Sequence, residues 1–129
     1  MKKWLWILLA ALFLTGCSRV SLSSTASGEV TYTYGEVSFT ESLTADEVKS
    51  VVHILDGKQQ RSGDVFGVPA CGFSEEISIT IDGTTFALAC DDCGTVKNCK
   101  NGTYIFISDE ERDILEAIFT SRGGKFPCV

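Results

Sequence analysis

The arrangement of apolar residues predicts a small two-layer α+β domain, an antiparallel sheet of about four strands with two helices on one face, in the order β-α-β-β-β-α. Three observations predict it. The stretches 44–57 and 108–124 each carry helix punctuation at both ends and apolar residues at helical spacing between them. Apolar and polar residues alternate in several short runs, the mark of strands. Asp82-Gly83 and Asn101-Gly102 are tight-turn sequences. Strands joined that way run antiparallel, and two short helices cover only one face of such a sheet.

The first strand is Glu29 to Thr40, EVTYTYGEVSFT. Val30, Tyr32 and Tyr34 occupy even positions and Val37 and Phe39 odd ones, so the parity changes at Gly35-Glu36. A glycine there supports either a bulge or a tight reversal, and the reading taken is one bulged strand. The first helix follows. Thr44 and Glu47 form a capping box, with Leu43 and Val48 placed as a hydrophobic staple. Val48, Val51, Val52 and Leu55 make its apolar stripe, and Gly57 ends it. Its β-branched residues lower helix propensity, so packing on the sheet has to hold it.

Lys58 to Ala70 has breakers and no period and is a surface loop, with Phe66 in its one apolar island folding back over the core. Ile77, Ile79 and Ile81 alternate with Ser78, Thr80 and Asp82 as a half-buried strand, and Phe86, Leu88 and Cys90 line one face of the return strand. Thr103 to Ile107 is the last strand. Ser108 and Glu111 form a second capping box, with Asp109 and Glu110 in a first turn where the helix dipole favours negative charge. Ile114, Leu115, Ile118 and Phe119 are its expected buried face, and Gly123-Gly124 and Pro127 stop it.

The start of the chain is of another kind. Lys2 and Lys3 precede an unbroken apolar run from Trp4 to Leu14, and the sequence continues Thr15-Gly16-Cys17-Ser18. A basic start, an apolar stretch and a small-residue cut site make an export signal. Spanning a bilayer takes about 20 apolar residues, more than this run supplies. Leu14-Thr15-Gly16-Cys17 resembles the lipobox of bacterial lipoproteins. The resemblance implies diacylglycerol on the Cys17 sulfur, cleavage before Cys17 and palmitate or a similar acyl chain on the new N-terminus. One acyl chain holds a protein reversibly, whereas two or three fix it to the membrane. No other cofactor is expected. Residues 1–16 are then the signal peptide, 17–28 (small and polar from Ser18 on) a lipidated flexible tether, and 29–129 a single domain. By analogy with lipoprotein sorting, Ser18 after the cysteine directs the product to the outer membrane of a Gram-negative cell. In a Gram-positive cell it stays on the outer face of the single membrane.

Removing 16 residues from 129 leaves 113, enough for one domain. The formal charge moves from −6 to −8 as Lys2 and Lys3 leave. So acidic a domain is repelled by nucleic acid and by anionic headgroups, so nucleic acid is not an expected partner and the membrane is held through lipid. Five cysteines remain besides Cys17: Cys71, Cys90, Cys93, Cys99 and Cys128. Outside the cytoplasm they read as disulfides, at most two, in about fifteen possible sets. The pairing preferred is Cys71 with Cys128, plus one bridge among Cys90, Cys93 and Cys99.

Cys90-Asp91-Asp92-Cys93 is the most suggestive constellation for chemistry. A thioredoxin-like pair needs a helix N-terminus to lower a thiol pKa, whereas this one follows a strand and holds two carboxylates that raise it. A zinc site from Cys90, Cys93 and Cys99, with Cys71, Cys128 or His53 as fourth ligand, lacks the second close pair of a zinc ribbon. His53, the single histidine, lies beside the apolar stripe of the first helix as a partly exposed spacer. No nucleophile elbow, zincin motif or calcium loop occurs, so no catalytic or metal residue is assigned. At Cys71-Gly72-Phe73, Asp91-Asp92-Cys93 and Phe126-Pro127-Cys128 the chain resembles small uncharacterised lipoproteins of Gram-positive bacteria, which implies no activity. The expected function is a non-enzymatic module at the cell envelope that binds an extracytoplasmic protein or envelope component. The alternatives are a thiol-redox or metal-binding protein using the pair at 90 and 93, and an inhibitor or immunity protein of a secreted enzyme.

Overall fold

A computed structural model describes residues 19–23, 25–62, 72–90 and 94–127. Among them are six strands and two helices: β1 (Gly28–Tyr34), β2 (Val37–Ser42), α1 (Ala45–Leu55), β3 (Ile77–Ile81), β4 (Thr84–Leu88), β5 (Thr95–Asn98), β6 (Thr103–Phe106) and α2 (Asp109–Thr120). The strands form one antiparallel sheet in the order β2-β1-β3-β4-β5-β6. The α+β class is as expected. The count of about four strands and the order β-α-β-β-β-α are corrected to six strands and β-β-α-β-β-β-β-α.

Both extra strands have a local cause. The expected bulged strand is a hairpin, with Tyr34 opposite Val37 and a two-residue loop, Gly35-Glu36, between them. Gly35 has φ +61°, the backbone that a glycine-first hairpin turn requires, and the reversal accounts for the parity change. β5 is only four residues, TVKN, too short and too polar to show a period beside the cysteines. It is held by pairing on both sides, with Val96 lying between Leu88 and Ile105.

Both capping boxes form: Thr44 and Ser108 accept from the N–H of Glu47 and Glu111, whose carboxylates accept in return from the cap N–H groups. Val48, Val51, Val52 and Leu55 of α1, with Leu115, Ile118 and Phe119 of α2, pack into one core with Val30, Ile79, Phe86, Leu88, Val96 and Ile105 of the sheet. Ile114 is a correction, for it is 46% exposed. The inward position it was expected to share is held by Arg112, 5% exposed, which donates to Ala89 O at 3.1 Å and meets Glu116 at 2.7 Å.

The strand connections sort to two ends of the sheet. Gly28, Ser42, the Asp82-Gly83 turn and the Asn101-Gly102 turn lie at one end. Gly35-Glu36, Ile77, Leu88, Thr95 and Phe106 lie at the other. The sheet's second face is not open over β3–β5. Ser78, Ala87 and Thr95 are buried there, and the burial of Ser78 corrects the half-buried reading of β3. The segment returning to β3 lies on this face, with Phe73 packed on Tyr104 (centroids 5.7 Å apart) and Glu75 O accepting from Ser78 Oγ.

Candidate functional site

The stretch that leads from Cys17 into the domain was expected to be a free tether. Its described residues 19–23 instead lie against the domain, a correction with a clear cause. Val20 and Leu22 alternate with polar neighbours, so an extended chain turns both toward the same side. Val20 is 5% exposed and joins the core, and Leu22 packs against that core. The main chain is matched at the same time. Val20 N–H donates to Lys58 O at 3.0 Å, and Val20 O accepts from Gly57 N–H at 2.8 Å. Leu22 and Ser23 N–H donate to the carboxylates of Asp56 (2.9 Å) and Asp82 (3.3 Å). The Arg19 guanidinium donates to Gly57 O at 2.9 Å, just past the C-terminus of α1, where a cation is favoured. Asp82 lies in the β3–β4 turn, which brings Ser23 to the end of the sheet that holds Gly28 and Ser42.

The other end of the sheet carries a cleft of about 400 Å³, lined by Tyr32, Tyr34, Gly35, Glu36, Val37, Lys125 and Pro127. One wall is the tip of the β1–β2 hairpin and the other is the C-terminal tail. Tyr32 holds the two together. Its ring lies 5.6, 6.2 and 6.0 Å from those of Phe39, Phe119 and Phe126, and its hydroxyl donates to Lys125 O (2.9 Å) while accepting from Lys125 N–H (3.1 Å). Tyr34, by contrast, is 47% exposed, in a lining that also holds Glu36 and Lys125. β2, the neighbouring edge strand, pairs with β1 alone among the strands.

Several charged groups have structural work. Arg122 binds both oxygens of Glu47 at 2.6 and 2.7 Å and Glu41 at 2.8 Å. The Arg122 guanidinium is the main reason the Glu47 carboxyl is held down at about 2, against an ordinary 4.5. The same bond raises the Arg122 pKa further. Lys58 meets Glu111 at 2.9 Å, joining the end of α1 to the start of α2. Burial pushes the Glu111 carboxyl up, but the Lys58 ammonium and the Ser108 backbone outweigh it, leaving the group below its ordinary value.

Cys17, Cys71, Cys93 and Cys128, with Phe66, Asp91 and Asp92, lie outside the described residues. Cys90 is disulfide-bonded. Cys99 is a free, part-buried thiol; burial pushes its pKa up and the Glu75 charge adds to that. A disulfide sulfur has no thiolate to offer a metal. Among the described residues no three histidine, cysteine or acidic side chains gather as a metal site. His53 is exposed on α1, beside Lys49 and Asp56. The docked stem and the cleft escaped the sequence reading. The spacing of Val20 and Leu22 was an available signal for the first, and the Tyr32 clamp had none.

Residues 1–18 match the family model described as a prokaryotic membrane lipoprotein lipid attachment site. No curated protein and no solved structure matches the chain. Among the described residues no helix is long and apolar enough to cross a membrane. The attachment site makes this a lipoprotein sequence, with the domain held to a membrane through lipid and facing outside the cytoplasm.

Proposed function

We propose that this is a non-enzymatic binding module of the cell envelope, fixed to the membrane by lipid on Cys17 and recognising an extracytoplasmic protein partner. The observation that carries the reading is the lipid attachment site at residues 1–18. Attachment confines the domain to a surface and raises its effective concentration near other envelope proteins, which gives a modest binding site its use. The contact surface we assign is the cleft beside the β1–β2 turn. An exposed tyrosine, one charge of each sign and a neighbouring edge strand are what an extended peptide segment uses, through main-chain pairing and one anchored side chain. In a two-membrane envelope, Ser18 after the lipidated cysteine would send the protein to the outer membrane.

Photo-crosslinking in cells tests this. A photoreactive residue in place of Tyr34 is expected to give one discrete, saturable protein adduct. The same residue in place of the exposed Lys49 is expected to give none. Identical adduct patterns from both positions would remove the cleft as the contact surface. The thiol alternative predicts a Cys90 disulfide that cycles with the state of its surroundings. A bridge that stays oxidised under thiol labelling in cells counts against it.

A further inference from the structure

We infer that the domain has no slack on its anchor and lies directly on the bilayer, with the stem end of the sheet against the headgroups and the Tyr34 cleft facing away. The inference rests on lipid attachment at Cys17 and adds to it a geometry. A free tether over residues 17–28 would reach about 40 Å. Arg19, however, is already bonded to Gly57, and the stretch that follows is sealed by Val20 in the core. Only Ser18 stands between Cys17 and Arg19, two steps of chain and a reach of about 7 Å. The acyl chains sit in the membrane, so the end of the domain that holds Arg19 sits at its surface.

β1 alone spans about 20 Å, so the cleft at its far end stands clear of the headgroups.

Both tryptophans, Trp4 and Trp6, precede Cys17 and leave with the signal peptide, so an introduced tryptophan reports alone. Gln59→Trp, beside Arg19, and Glu36→Trp, at the hairpin tip, are both at exposed positions. The full lipidated protein is purified from membranes and placed in phosphatidylcholine vesicles containing phosphatidylglycerol and a headgroup-spin-labelled lipid. The probe at 59 is expected to be quenched at least about threefold more than the probe at 36, given their separation on a domain of this size. Equal quenching overturns the inference while leaving lipid attachment intact. Protein that fails to float with the vesicles overturns lipid attachment itself, and the orientation with it. Ten glycine and serine residues inserted after Ser18, outside the packed stem, are expected to bring the two probes to equal quenching. A probe at 59 that stays strongly quenched with the insert shows that something other than the short stem sets the orientation, and also sinks the inference.

Discussion

Arg122 closes one corner of the molecule, reaching from the end of α2 to Glu47 of α1 and Glu41 of β2. Because the Glu47 carboxyl is depressed in the folded state, it contributes stability that is full above its ordinary pKa and lost as the pH falls through its folded value. The window runs from about 4.5 down to about 2. Glu47→Gln keeps an acceptor for the Thr44 cap and removes only the charge. We expect thermal melts of the variant to lose much of the wild-type's decline over that window. A decline of the same depth in both proteins would show that other carboxylates carry it. Cys99 makes a second prediction at this scale. Its raised pKa and partial burial predict slow alkylation near neutral pH. Thiol labelling should find Cys99 less reactive than an exposed model thiol by an order of magnitude or so.

The helices are defined by their ends more than by their middles. α1 is rich in valine, a weak helix former, so its Thr44 cap and its apolar stripe fix it together. Thr44→Ala and Ser108→Ala are each expected to cost about 1 kcal/mol, read as a shift in the denaturation midpoint at unchanged slope. The β1–β2 turn is the comparable point in the sheet. Gly35 has open space around its Cα, so Gly35→Ala is opposed by its φ of +61° and not by a clash. The expected cost is about 1–2 kcal/mol. A neutral outcome would mean that the turn relaxes to another type. These ends were legible because caps and turns depend on two to four adjacent residues. The hairpin was half-legible: its parity change was visible, but a bulge and a reversal place the same glycine at the same position. β5 was hidden because a four-residue strand with Lys97 and Asn98 owes its existence to its neighbours. Arg112, taking the inward place beside Leu115, could not be foreseen from periodicity, which ranks side chains by polarity and not by whether Ala89 O and Glu116 wait for them.

At the level of the whole molecule, the docked stem turns an anchored domain into an oriented one. Val20 holds it. Val20→Ala is expected to lower stability by about 1–2 kcal/mol, from two lost methyl groups. Val20→Asp should release residues 19–27 while the rest of the fold persists, seen as new proteolytic cleavage confined to that stretch. If Val20→Asp is cut no faster there than the wild type, the hydrogen bonds to Asp56 and Asp82 are enough by themselves. The sequence alone determined the attachment site, the α+β class, both helices with their caps and the Asp82-Gly83 and Asn101-Gly102 turns, because each is written in a few adjacent residues. Tertiary structure decided the six-strand count, the burial of the sheet's second face, the cleft between Tyr34 and the tail, and the seating of Val20. Each of these depends on surfaces brought together from distant parts of the chain, and no local pattern records which apolar residue will find a neighbour.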